Sequence, residues 1–315
     1  IHVLSISLII SQDYPKKKFH KREKHAAKIM GRDDRKYGDH SGNRVLCRFY
    51  NHGSIGDQSS SFSGVYPIGS GHSYIWEFSP VIAASVVDTN GFRKHIVTDG
   101  ISGLVDASPE GTPWSFEPLS GYSNPNQENL AMSDNENSWP NSWPNRTEDW
   151  NGEWNGQYGK YVRADQESYF VVDDRYNSEF EFWPDQNDIP EDPTVSPDEH
   201  RRGLGIEMEA RGYQWNHPAA EDIIIVTYWI TNVGSSVLDS VVFGMYGDAD
   251  IGGASSFSDD DAWFDTENDM VYQWDHDNWS SSYGGFRPAY FGWSFLESPG
   301  NPHDGIDNDG DGMID

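Results

Sequence analysis

A single cysteine, Cys47, is all the sulfhydryl chemistry that 315 residues supply. No intrachain disulfide can brace the fold, and no thiolate cage for zinc can form. No apolar run approaches the length of about 18 residues that an ordinary membrane-spanning helix needs. Catalytic signatures are scarce as well. There is no H-E-x-x-H, no G-x-S-x-G and no Gly-rich strand-to-helix phosphate loop, and the 11 histidines lack metal-ligand spacing. Positive charge is thin and badly distributed: 22 Lys/Arg stand against 51 Asp/Glu, for a net charge of −29. Residues 1–40 hold ten of the basic residues and only five of the acidic, which leaves 12 against 46 in residues 41–315. Such a body repels nucleic acid and anionic membrane, and divalent cations are its natural small partners.

What is present points to a folded, sheet-built protein. Aromatics make up 14% of the chain, with 13 Trp, while 31 Gly and 17 Pro leave few long helix-forming runs. Many short strands joined by turns follow from that mixture. The expected fold is an all-β sandwich, immunoglobulin- or fibronectin-like or a larger supersandwich, interrupted by a long irregular Trp/Asn/Pro-rich insertion. The opening "IHVLSISLII", followed by the polar "SQDYP", reads either as the tail of a secretory signal peptide or as a first β-strand. Residues 13–40 form a basic leader in which Pro15 and Gly31 would bracket one short helix. Four regions result: the leader at 1–40, a β-rich region with the Trp-rich segment at 41–215, sandwich strands at 216–300, and an Asp/Gly loop at 301–315.

Periodicity locates several strands. In "RVLCRFY", alternation puts Val45, Cys47 and Phe49 on one face, which makes Cys47 a buried core thiol rather than a nucleophile. Thr89-Asn90-Gly91 marks a hairpin turn within "YIWEFSPVIAASVVDTNGFRKHIV". "EDIIIVTYWITN" has Ile224, Val226, Tyr228 and Ile230 on one side and Ile223, Ile225, Thr227 and Trp229 on the other, as a central sandwich strand should. "SVVFGMY" is expected to return beside it, with further strands at "DMVYQWD" and "AYFGWSFLE".

The acidic stretches carry the candidate chemistry. In "DGIDNDGDGMID", Asp307, Asp309, Asp311 and Asp315 occupy alternating calcium-loop positions, Gly312 permits the sharp turn and Met313 offers its carbonyl. The upstream "ESPGNPHDG" cannot form the entering helix of an EF-hand. A second stretch holds ten acidic residues between Asp248 and Asp277 with no Lys or Arg among them. Asp248 and Asp250 at the end of a strand, with Asp259, Asp260, Asp261 and Asp265 opposite, could build one Ca2+ site, since carboxylates crowded together repel unless solvated or bridged by a cation; an exposed acidic loop is the competing reading.

Trp139, Trp143, Trp150 and Trp154 in "SWPNSWPNRTEDWNGEWNG" are candidate sugar-stacking residues. They would suit a carbohydrate-binding module or a glycoside hydrolase acting on extracellular polysaccharide. Pro140 and Pro144 break any helix that would align the rings, and pinning of the segment to a core is the competing reading. The acid pairs Asp173/Asp174 and Glu179/Glu181 have the composition of a glycosidase pair, but among 51 carboxylates such neighbours arise without function.

"NHGSIG" (51–56), "YPIGSG" (66–71), "ADQESYFVVDD" (164–174), "RRGLGIEMEARGYQW" (201–215), "EDIIIVTYWITNVG" (221–234) and "FGWSFLESPGNPHDGIDNDGDGMID" (291–315) together resemble a group of large, secreted, multidomain proteins of Gram-negative bacteria. The resemblance spans about residues 41–315. It implies export and an architecture continuing past Asp315, often with fibronectin type III repeats and a C-terminal sorting domain of the type IX secretion route. It also assigns the loop at 307–315 to the group's acidic loop. No activity is established for the group, so no catalytic residue follows from it. The combined expectation is a non-catalytic, calcium-stabilised sandwich at the bacterial surface, contacting other surface proteins or polysaccharide.

Overall fold

A computed structural model of the chain describes residues 3–10, 34–56, 62–102, 107–109, 111, 114–191, 200–253 and 256–297. The basic leader helix expected within 13–40 and the calcium-type loop at 307–315 lie outside or almost wholly outside these residues. Among the described residues there are fourteen strands and no α-helix. In chain order they are β1 (Val3–Ile10), β2 (Tyr37–His40), β3 (Cys47–Tyr50), β4 (Ile75–Val87), β5 (Arg93–Asp99), β6 (Glu117–Pro118) and β7 (Ala131–Met132). After the irregular segment come β8 (Gln166–Asp173), β9 (Ile206–Gln214), β10 (Ile223–Asn232), β11 (Asp239–Ala249), β12 (Asp260–Asp265), β13 (Met270–Asp275) and β14 (Tyr290–Glu297).

Two layers face each other. The larger is a nine-stranded sheet in the order β12-β13-β14-β1-β10-β9-β8-β6, with β7 also paired to β8. The smaller holds β11-β4-β5, and single bridges from Phe78 to Ile55 and from Ile55 to Phe49 tie it to the β2-β3 pair. Most pairings are antiparallel, but β1 lies parallel to both its neighbours, β10 and β14. The expected boundary near residue 215 falls between β9 and β10, which are paired directly in one sheet.

The alternation read from sequence sets the core. Ile224, Val226 and Tyr228 of β10 turn inward, as do Phe170 and Val172 of β8 and Met208 and Ala210 of β9. They meet Phe78, Ile82, Ala84 and Val86 of β4 from the other layer. Phe78 is the clearest joint, with ring centroids 5.0 Å from Phe291 and 4.7 Å from Trp293, both edge-on. Its ring lies against Gly247, directly across the β11–β4 ladder, where a Cβ would collide with it. The β4–β5 hairpin turns at the expected place. Asp88 Oδ1 accepts the amides of Asn90 and Phe92, and Gly91 sits at φ +81°.

One pairing differs from expectation. β11 does not return beside β10; it crosses to the opposite layer and pairs with β4 from Ala249↔Ile75 to Asp239↔Ser85. The loop Val233–Leu238 changes sheets, and Phe243 meets Tyr228 across the sandwich at 5.4 Å. Both strands thus bury apolar faces, but from opposite sides of one core.

Val45, Cys47 and Phe49 share an inward face and are all buried. Burial pushes the Cys47 thiol up to about 12, so a thiolate is scarce at neutral pH. A thiol reagent at pH 8 is therefore expected to leave the native protein unlabelled and to modify one equivalent after urea unfolding. Rapid native labelling would contradict this placement.

Candidate metal centre

The acidic stretch at 248–277 folds around one end of the β12–β13 hairpin. Asp260 opens β12 directly opposite Asp275, the last residue of β13. Just before it, a single 3-10 turn over Phe257–Asp259 presents Asp259. Just after β13, Asn278 at φ +58° begins the return that carries Asp277. Carboxylate oxygens of Asp259, Asp275 and Asp277 lie within 4.8 Å of one another. Oxygens on opposite sides of one calcium ion, each bound at about 2.4 Å, are separated by about that distance.

The surroundings hold these groups in place. Ser256 Oγ donates to Asp275 Oδ2 at 2.9 Å, and the Trp279 amide donates to Asp275 Oδ1 at 2.7 Å. The amide of Ile251 donates to Asp260 Oδ2 at 2.8 Å. That reach depends on the following turn, where Gly252 at φ +82° packs so closely on Ser280 that a Cβ would come within 2.6 Å of the serine Cβ. Asp260 Oδ1, by contrast, is buried with no hydrogen-bond partner among the described residues. Burial, with the charges of Asp275, Asp250 and Asp259 added, pushes its carboxyl up to about 7. Asp250, itself buried, is near enough for its charge to act on Asp260. Each bonded carboxylate oxygen retains a lone pair, so the set can hold a hard divalent cation.

Not every expected ligand joins. Asp248 stays on β11, opposite Glu77 of β4, and accepts from Tyr246 Oη at 3.3 Å. Burial raises its pKa, and Glu77 adds to the effect. Asp261 points to the other face of β12 and pairs with His276 Nδ1 at 2.6 Å, which raises the histidine's pKa. Asp265 sits at the far end of the hairpin, opposite Met270, and caps its turn by accepting from Asn268 Nδ2 and the Glu267 amide. Period-2 geometry separates Asp260, Asp261 and Asp265 in a way that their closeness in sequence hides. Asp275 and Asp277 join the cluster without being among the expected residues; their alternate spacing in "DHD" is the signal the sequence offers.

The Trp-rich segment is corrected from a sugar platform to a cover. All eight residues of β8 are buried, because its inner face meets the main core while its outer face, through Tyr169 and Val171, meets a second one. Trp143 and Trp154 lie inside that second core, each 2% exposed. Their indoles donate to the Glu153 carbonyl and to Glu167 Oε2. Trp139 packs on the same cluster and donates to the Met132 carbonyl at 2.7 Å, and Arg146 and Lys160 lie over Trp150. Trp143 and Trp154 are therefore not available to stack on a ligand, while Trp139 and Trp150 are half-buried against the same cluster.

The acid pairs are likewise accounted for. Asp173 is fully buried and clamped by Arg201 at 2.6 Å and Arg175 at 3.5 Å. Asp174 accepts the amides of Leu204, Gly205 and Ile206, ordering the entry to β9. Glu179 and Glu181 are exposed on the turn that follows.

No family model matches the chain, and comparison with curated proteins and with solved structures likewise returns no match.

Proposed function

We propose that this chain is a non-catalytic, calcium-stabilised β-sandwich of a secreted or surface-attached bacterial protein, serving adhesion or scaffolding. The observation that carries this reading is the convergence of Asp259, Asp275 and Asp277 beside the orphaned, buried Oδ1 of Asp260, with no Lys or Arg in the stretch to balance them. A bridging cation relieves both the repulsion and the unsatisfied oxygen. The absence of a disulfide makes such a clamp useful, and the resemblance to exported proteins supports a setting in which calcium is plentiful. Engagement of Asp173 and Asp174 in the scaffold favours binding over glycoside hydrolysis.

Extracellular sites bind in roughly the 0.1–1 mM range, so calcium at about twenty times a Kd of that order adds about 1.8 kcal/mol by linkage. Thermal melts should therefore rise by about 3 °C between chelator and calcium. Asp275→Asn should abolish most of the rise, and Asp265→Asn should leave it intact. Identical midpoints with and without calcium would remove the calcium reading.

The same melts carry a pH signature. Without metal, Asp260 has its folded pKa raised from 3.8 to about 7. Its favourable contribution is complete below the unfolded value and is lost as pH rises through the folded one. Calcium favours the ionised carboxylates, so its stabilising increment should grow from pH 5 to pH 8. An increment larger at pH 5 would contradict the assignment.

A further inference from the structure

We propose that the outer face of β12, β13 and β14 is a stacking platform for a neutral, hydroxyl-rich polysaccharide. The register builds it. Trp263 of β12 stands directly opposite Tyr272 of β13, and Asp261 stands opposite Trp274. Tyr272 in turn faces Gly292 of β14, which has no side chain to interrupt the surface. The Trp274 and Tyr290 rings are stacked at 6.0 Å with an interplanar angle of 28°, and Tyr272 lies 5.4 Å from Trp274 at 35°. Tyr272, Trp274 and Tyr290 pack against neither hydrophobic core, and Trp263 is 64% exposed. The opposite face of β14 supplies Phe291 and Trp293 to the core, so these outward rings are surplus to what the sandwich needs.

The chemistry of the rim selects the occupant. Trp263 is flanked on its own face by Asp261 and Asp265, two residues to either side. Asp261 is paired with His276 and Asp265 caps its own turn, yet each carboxylate keeps lone pairs that can accept from ligand hydroxyls, and Asp265, with no cation partner among the described residues, repels uronate or sulfate groups. The C–H faces of a sugar are electropositive and suit the electron-rich faces of Trp and Tyr. A row of rings tilted 28–50° to one another, continued by exposed Trp263 and edged with acceptors, therefore complements a chain of neutral pyranose units. Neither the buried Trp residues of the irregular segment nor the carboxylates at the hairpin's end take part, and the platform does not depend on calcium being the metal.

Affinity gel electrophoresis of the full chain through soluble β-glucan, xylan and mannan, with alginate as the anionic comparison, tests the assignment. Retardation is expected on at least one neutral polymer and not on alginate. Trp263→Ala should weaken it about tenfold, equivalent to about 1.4 kcal/mol. Phe92→Ala, at an equally exposed ring on the other layer, should leave it unchanged. Trp263 is exposed enough for its variant to keep the wild-type melting point, so loss of binding with an intact fold supports the platform. Absence of retardation on all three neutral polymers overturns it, as does retardation that Trp263→Ala leaves intact. Self-association that Trp263→Ala abolishes, without glycan binding, would instead give the face to a second copy of the chain.

Discussion

Asp173→Ala should destabilise the protein by about 3 kcal/mol, at the lower end of what removing one partner from a buried ion pair costs. Asp173 ends β8 with no exposure; Oδ1 accepts from Arg201 and the Arg175 amide, while Oδ2 has only the charge of the Arg175 guanidinium 3.5 Å away and no hydrogen bond among the described residues. Deleting the carboxylate leaves Arg201, itself 13% exposed, facing a cavity in place of its anion. The neighbouring negative charges of Asp174 and Glu207 recover part of the loss, which is why the lower figure is used. Urea unfolding followed by tryptophan fluorescence should show the midpoint falling at unchanged slope. Asp173→Asn keeps the shape and one acceptor, and should fall between the two. If Asp173→Ala unfolded at the wild-type midpoint, the acid pair would have to be released from its structural role, and a glycosidase reading would return.

The second large effect is expected at Phe78. Its ring is 1% exposed and bridges the layers through Phe291 and Trp293. Truncation to Ala removes the apolar contact and opens a cavity between two sheets that are each held rigid by their ladders, so a loss of about 3–5 kcal/mol is expected. Phe78→Leu preserves much of the volume and should cost about 1–1.5 kcal/mol. The Gly247 contact supplies an internal check. Gly247→Ala alone drives its Cβ into the Phe78 ring and should destabilise, whereas in the Phe78→Leu background the added methyl has room. Calorimetry on the four proteins should give less than additive losses. Additive losses would mean that the two residues do not share the joint.

Local signals were easy to read. The alternation of β10 and of Val45–Phe49 predicted inward faces correctly, and the turn at Asp88–Phe92 was legible because its residues are chosen for backbone reasons. Partner choice was not legible. β11 carries an apolar pattern that suits either layer, and its crossing to β4 depends on residues more than 150 positions earlier. The metal cluster was half visible. Composition marked residues 248–277, but alternate residues on a strand point to opposite faces, so Asp261 and Asp265 left the site while Asp275 and Asp277 entered it from the next strand. The four Trp residues of the irregular segment were misleading for a related reason. A strand such as β8 with polar residues on both faces gives no hint that both will be covered, and only the fold shows that the segment is its lid. The platform of Trp263, Tyr272, Trp274 and Tyr290 went unnoticed because its rings are brought together by register across three strands, not by spacing along one.

The parallel strand β1 has a temporal consequence. It pairs Ser5 with Ile223 and Val3 with Tyr290, separations of 218 and 287 residues. On a ribosome the earliest of the described strands is therefore among the last to find both neighbours, and the large sheet closes only after β14 has emerged. Loops of that length are slow to close, and until they do the backbones of β10 and β14 present open edges to whatever strand is nearest. The interval between synthesis and closure is when this chain most needs a chaperone's company.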